Sequence, residues 1–404
     1  MTQSRTGSGS VVVQKFGGSS LATAELRLLA AQRVRDVLAA GRRAIVVTSA
    51  IGRPPAPYAT DTLLTLVAEP RSAANVDLLL SCGEVIGASV FAEVLSSVGV
   101  EALALTGAQA GIVTDAEHRD AKILRVEPHL PVALLARGIT PVVAGFQGQT
   151  EDGRITTIGR GGSDLTAVAL AAALEDGALE IFTDVDGIMT ADPDRVPAAR
   201  TIPLLDFDEL TELTRHGAKV VYERAATFAS SALDGLAITG LRSGVGSVVE
   251  AAAVRRARPV TAVTATGGFT FVHVAPDAMV SGAWQERIFA TLADAGISLD
   301  CINVNTAGIF FALREAEAAR GLELLRALAI SPQTREDCAK VSIVGAGMRG
   351  MPGVMYRVVA SLAAAGVPIV HSTDSHITIS VLVPGPLATT AQRALHDRFG
   401  LADD

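Results

Sequence analysis

Short β-branched runs alternate with alanine-rich stretches over the first half of the chain. Residues 11–13 are an unbroken valine run, 22–40 are alanine-rich and helical in character, 44–48 are again apolar, and the alternation returns at 141–145 and 164–174. Strands alternating with helical stretches predict βαβ units and a mostly parallel sheet covered by helices, an α/β architecture. The predicted strands run into glycine-rich or polar turns: Gly17-Gly18-Ser19-Ser20, Ser49-Ala50-Ile51-Gly52, Gly145-Phe146 and Thr183-Asp184. Ligands of open α/β sheets bind beyond the carboxyl ends of the strands, so these turns are expected to converge on one edge of one sheet.

The texture changes around 241–258, and a domain boundary is placed there. Beyond it two segments share one plan. The first is a strand over 269–274, a helix over 283–295, Gly296 and a strand over 297–304; the second is a strand over 340–344, a helix over 354–365, Gly366 and strands over 367–370 and 377–383. Asp294-Ala295-Gly296-Ile297 and Ala364-Ala365-Gly366-Val367 are equivalent helix-end signals 70 residues apart, which predicts a tandem repeat of small α+β modules. The expected organisation is a flexible tail over 1–10, an α/β domain over 11–250, a linker over 251–262, and two modules over 263–335 and 336–404.

Composition adds bounds. At 404 residues, with 49% apolar and 4% aromatic residues, the chain is long enough for several aliphatic cores. A net charge of -8 without a basic face argues against nucleic acid or an anionic membrane as partner. Cys82, Cys301 and Cys338 are far apart, which suggests neither a disulfide framework nor a zinc site and fits a reducing cytoplasm. The polar first ten residues lack an apolar core, and no uninterrupted apolar run of membrane-spanning length occurs, so neither a signal nor an anchor is expected.

Only Lys15, Lys122, Lys219 and Lys340 among the 34 basic residues are lysines. Lys15, opening Lys15-Phe16-Gly17-Gly18-Ser19-Ser20, and Lys219, in Gly217-Ala218-Lys219-Val220-Val221, sit beside glycines, where a compact ammonium can reach phosphate oxygens. Lys122 has no such context. In Gly159-Arg160-Gly161-Gly162-Ser163-Asp164 the arginine can fork onto a carboxylate, while Asp164 either serves the site or caps a helix. Thr183 and Asp184 fit contacts to ribose or base; the aspartates that follow do not make a calcium loop, because no glutamate closes a twelve-residue loop. Glu84, in apolar surroundings, is either a helix-surface glutamate or a buried carboxylate that needs a cation, which a substrate ammonium would supply.

Taken together these stretches resemble the aspartate kinases of the amino-acid kinase superfamily. The resemblance runs nearly end to end and includes Val46 to Gly52, Tyr58-Ala59-Thr60-Asp61, Leu79 to Glu84, Thr106 to Gly111, Val143 to Gly148, Thr156 to Ala169, Phe182 to Pro193 and Gly217 to Val221. The C-terminal repeat is similar to the tandem ACT domains of that family, with Lys340 to Met348 matching the second unit. The segment after Gly52 and Thr373-Asp374-Ser375-His376 look most like the diaminopimelate-sensitive isozyme.

The resemblance implies the amino-acid-kinase fold followed by ACT domains, and ATP-dependent phosphorylation of L-aspartate. Lys15 and the Gly17 and Gly18 amides would hold the transferring phosphoryl group, and Asp164 would orient Lys15 and a phosphate-held Mg²⁺, with no metal site built from side chains alone. Glu84 would bind the substrate ammonium and Arg160 its α-carboxylate, near Ser49, Thr60 and Ser163. Lys15, Gly18, Ser19, Thr183, Asp184, Met189, Asp192 and Lys219 would line the nucleotide site. A homo-oligomer formed through the ACT units and an amino-acid effector (diaminopimelate, lysine or threonine) are expected. The chain departs from the family at Asp194, which stands where arginine is usual, at Tyr222-Glu223, which replaces His-Pro, and at Ser281-Gly282, which replaces the effector-turn Pro-Gly. Alternative readings are a superfamily kinase for another carboxylate or related substrate, and a non-catalytic amino-acid-binding paralogue.

Overall fold

The structure, a computed structural model, describes residues 11–67, 72–218, 220–251, 258–276, 284–348 and 350–403. It divides into two compact units. The first comprises residues up to 188 with 201–214 and 219–254; the second comprises 255–404 with two excursions, 189–200 and 215–218. The contiguous 11–250 expected from sequence is therefore interrupted, because two short segments make their contacts with the C-terminal half.

In unit 1 the order is β1 (Val11–Phe16), α1 (Ala24–Ala39), β2 (Arg43–Thr48), α2 (Thr60–Leu64), α3 (Ala73–Ser97), β3 (Ala102–Leu105), β4 (Ile112–Thr114), β5 (Ile123–Val126), α4 (His129–Ala136), β6 (Thr140–Ala144), β7 (Gln147–Gln149), β8 (Ile155–Thr157), α5 (Gly162–Ala172), β9 (Ala178–Thr183), β10 (Leu204–Asp206), α6 (Phe207–Arg215), α7 (Glu223–Ala232), β11 (Gly235–Gly240) and β12 (Gly246–Glu250). Eight strands form the main sheet in the order β10-β12-β11-β9-β1-β2-β6-β3, parallel except for β11 against β12. A small four-stranded sheet, β5-β4-β7-β8, stands beside it.

The strand β1 lies between β2 and β9, where the connections leave in opposite directions, and its side chains divide the work. Phe16 turns into the core under α1 and α3, stacked on Phe182 with ring centroids 4.9 Å apart and close to Phe91 at 5.4 Å. Lys15, one position earlier, projects from the opposite face because strand side chains alternate. Helix α1 begins later than the 22–40 pattern suggests, because the Thr23 hydroxyl accepts from Leu26 N and caps it. Helix α3 is long and apolar enough by composition to cross a membrane, yet its Val76, Leu80, Phe91 and Leu95 are buried within this unit.

Unit 2 contains β13 (Ala262–Val274), α8 (Trp284–Asp294), β14 (Leu299–Asn305), β15 (Gly308–Arg314), α9 (Glu315–Ala327), β16 (Gln333–Val344), α10 (Val354–Ala364), β17 (His371–Asp374), β18 (Thr378–Pro384) and α11 (Ala388–Arg398). Its antiparallel sheet runs β14-β15-β13-β16-β18-β17, so the two modules meet along β13 and β16. One core lies under α8 and α9 and the other under α10 and α11. Within the expected bounds each module carries one helix more than the sequence pattern indicated, α9 in the first and α11 in the second. The strand expected over 367–370 is displaced to His371–Asp374: Val367 N bonds back to Leu362 O at the end of α10, and only from Val370, whose N bonds Leu382 O, does the chain join β18. Lys340 is buried on β16, 2.5 Å from Asp300 of β14.

Segment 189–200 is anchored within unit 2. Val263 N donates to Thr190 O at 2.8 Å, Thr190 Oγ1 meets His396 Nε2 at 3.0 Å, and Arg393 Nε donates to Arg195 O at 2.6 Å.

Candidate active site

The carboxyl ends of β1 and β2 approach until Gly18 leaves no room for a side chain. A Cβ there would stand 2.3 Å from Ala50 O and 2.8 Å from Gly52 O, and Gly52 N bonds Gly18 O at 2.9 Å. This close approach, rather than backbone torsion, requires glycine. The Lys15 ammonium curls back over the turn, 3.5 Å from where a Cβ on Gly17 would be, and contacts Asp164 Oδ1 at 2.5 Å. Both side chains are largely buried, so the pair sits in a low-dielectric corner facing the turn. Asp164 is in the first turn of α5 and nevertheless spends its carboxylate on Lys15, while the N-cap, Gly161, has no side-chain cap bond. The capping alternative for Asp164 is thereby set aside.

Glu84 is buried in α3, with 3% of its surface exposed. Burial pushes its carboxyl up to about 8, offset in part by the Ala50 amide, the Lys15 ammonium and the Ser163 hydroxyl. Its Oε2 has no hydrogen-bond partner. A buried, under-satisfied carboxyl beside an ammonium and a hydroxyl is poised for a further cation. The surface-glutamate alternative does not hold. Ser163 thus joins Glu84, Lys15 and Asp164 in one cluster. Ser49 follows β2, its N bonded to Phe16 O at 3.2 Å, and Thr60 opens α2. Arg160 is exposed on the loop before α5.

The remaining expected residues are placed as follows. Ser19 begins a short 3₁₀ turn after Gly18, and Thr183 ends β9 beside β1. Asp184 is paired with Arg53 at 3.1 Å and accepts from the Thr183 hydroxyl at 3.2 Å. Met189 and Asp192 stand on segment 189–200 in unit 2, where Asp192 accepts from Asp194 N at 3.0 Å and meets Arg195 at 3.6 Å. Arg195, one position after the Asp194 that stands where arginine is usual, thus turns back onto Asp192. Lys219, Ser281 and Gly282 lie outside the described residues. Sequence reasoning passed over Asp77, fully buried one heptad before Glu84, which accepts from His118 Nδ1 at 2.7 Å, Arg119 N at 3.1 Å and Thr157 Oγ1 at 2.6 Å. Two carboxylates seven residues apart in an apolar helix are the signal that marks them, since they share a face.

The pattern of the amino acid kinase family matches residues 10–236, and that of an ACT domain matches residues 333–397. Aspartokinase 1 of Bacillus subtilis is 39% identical over 402 residues, covering 97% of this chain and 99% of its own. Aspartokinase of Geobacillus stearothermophilus is 36% identical over 409 residues, 98% of each chain. E. coli aspartokinase III, solved with aspartate and ADP in its R-state, is 25% identical, covering 96% of this chain and 100% of that one, with a TM-score of 0.76.

Proposed function

The chain belongs to the amino acid kinase family, among the aspartokinases that carry ACT domains, and on that premise we propose how its own residues divide the work of aspartate phosphorylation. The observation that carries the assignment is the Lys15–Asp164 pair at the Gly17-Gly18 turn, next to a buried, under-satisfied Glu84.

The reaction transfers the γ-phosphoryl group of ATP to the β-carboxylate of L-aspartate, giving ADP and 4-phospho-L-aspartate. The nucleophile is a carboxylate already ionised at neutral pH, with a reference pKa of ~4, so no general base is required. Catalysis then rests on positioning and on neutralising charge as it develops on the phosphoryl oxygens. Lys15 supplies a positive point charge, the turn after β1 offers backbone N–H groups, and Asp164 fixes the ammonium. Glu84 receives the substrate ammonium with Ser163 at its side, Arg160 forks onto the α-carboxylate, and Ser49 and Thr60 complete the aspartate site. Ser19, Thr183, Asp184, Met189, Asp192 and Lys219 serve the nucleotide. Mg²⁺ supplies further neutralisation of phosphate charge, and the Asp164 carboxylate beside the turn fits a role at its edge.

Control of this activity falls to the ACT domains. Lysine accompanies the T-state of E. coli aspartokinase III, a chain 25% identical with a TM-score of 0.73. For this chain diaminopimelate is the favoured effector, with lysine and threonine as the other candidates. The edge strands β14 and β17 invite pairing between copies in a homo-oligomer, and the working compartment is the cytoplasm. A hydroxamate assay over a panel of carboxylic amino acids tests the substrate directly, because it traps the acyl phosphate. Trapping with L-aspartate supports the reading; product with another acid and none with aspartate overturns it.

A further inference from the structure

The loop that presents Arg160 is held from two sides by residues with no assigned part in the reaction. On one side, the Tyr222 ring lies against Gly161, so that a Cβ on that glycine would stand 2.3 Å from Tyr222 Cβ and Cγ and 2.7 Å from Cδ2. Gly161 has φ of 72° as the N-cap of α5, and the ring closes over it where only glycine leaves space. Two residues on, Arg224 Nη1 donates to Ile158 O at 3.2 Å, at the start of the same loop, and also to Asp120 Oδ1. On the other side is the turn containing His118, Arg119 and Asp120. Buried Asp77 fixes that turn by accepting from His118 Nδ1 and Arg119 N, and it also holds the end of β8 through Thr157 Oγ1.

Asp77 and Glu84 share a face of α3, about 10 Å apart along the axis. The group that would receive the substrate ammonium and the anchor of the Arg160 loop are thus referenced to one rigid helix. Arg160 itself is exposed, and among the described residues no hydrogen bond or ion pair fixes its direction. Its reach toward a carboxylate depends on the backbone of 158–162, and that backbone is what Tyr222, Arg224 and Asp77 hold.

We propose that Tyr222 and Arg224, with the Asp77-anchored turn at 118–120, are positioning residues that set the Arg160 loop for binding the aspartate α-carboxylate. The inference rests on the reading of Arg160 as the carboxylate ligand. Tyr222 is 52% exposed, so its loss leaves the core intact, and the contact is made by Cβ and the near edge of the ring rather than by the hydroxyl. A loop released by about 1 Å is expected to lose binding steeply.

The test is steady-state kinetics on the full chain with aspartate and ATP varied separately, beside thermal melts. Tyr222→Ala is expected to raise the aspartate KM about tenfold, with kcat, the ATP KM and the melting temperature close to wild type, and Tyr222→Phe is expected to restore it. Arg224→Gln should move the same constant in the same direction. Arg160→Ala is the control. If it raises the aspartate KM while Tyr222→Ala and Arg224→Gln do not, the positioning role is overturned and the Arg160 reading stands. If Arg160→Ala leaves KM unchanged, the Arg160 reading falls and the inference with it. Equal losses of kcat and melting temperature in Tyr222→Ala would mark a merely structural residue and also overturn the proposal.

Discussion

Aspartate binding should take its pH dependence from Glu84. Burial raises this carboxyl to about 8, so in the free enzyme at pH 7 it is roughly nine-tenths protonated. A neutral carboxyl cannot pair with the substrate ammonium, so binding must first ionise it, at a cost of about 1.4 kcal/mol for each pH unit below its pKa. The apparent Kd for aspartate, measured without nucleotide, is therefore expected to fall about 50-fold between pH 6 and pH 8, or about 10- to 90-fold for one unit either way in the pKa. It should level off above about pH 9, and binding at pH 7 should release close to one proton, read by calorimetry in buffers of different ionisation enthalpy. Glu84→Gln removes the titration, so its Kd should be flat over this range and about 10- to 100-fold weaker than wild type at pH 8. The sign for stability is opposite. A raised folded pKa favours the protonated form, so the stabilising contribution of this group is complete below about 4.5 and is lost as pH rises to about 8. Unliganded wild type should therefore lose melting temperature relative to Glu84→Gln across that window. A wild-type Kd that is flat from pH 6 to 8.5 and matched by Glu84→Gln would refute the assignment.

Lys15→Met should lower kcat by roughly 10²- to 10³-fold or more while aspartate binding and folding persist, since the ammonium acts mainly on charge developing in transfer; retention of more than a tenth of kcat in a coupled ADP-release assay would exclude that role. Gly18→Ala should abolish activity, because the new Cβ would stand 2.3 Å from Ala50 O and must push β1 and β2 apart; a fully active variant would show that the turn need not stay closed. Lys340→Met should destabilise unit 2 by roughly 2–4 kcal/mol in denaturant unfolding, because it strands the half-buried Asp300 carboxylate; an unchanged midpoint would mean that water already serves Asp300. Diaminopimelate, lysine and threonine, titrated alone and in pairs, should reveal at least one that shifts both melting temperature and activity, with light scattering reporting an oligomer. A monomer indifferent to all three would leave the ACT units without a regulatory part.

The sequence by itself determined the local chemistry. Continuous apolar runs made β1 and β2 strands because both faces of a parallel sheet are covered, and the glycine turns behind them pointed to the region proposed for the phosphates. Lys15, Glu84, Arg160 and Asp164 stood out because each is a charge where the neighbouring residues offer no reason for one, and the structure brings Lys15, Glu84 and Asp164 together. What tertiary structure decided is which charges meet and in what dielectric. Nothing in the spacing of residues 15 and 164 brings them to 2.5 Å; the placing of α5 against β1 does. Nor does sequence tell a buried Glu84 from an exposed one, since its helix is apolar on several faces and only packing selects the inner one. Segment 189–200 joined unit 2 through hydrogen bonds with partners as distant in sequence as His396, and Asp77 acquired its part from His118, 41 residues away. Such partners are fixed by the path of the whole chain, so local pattern, which acts over a few residues, carries no record of them.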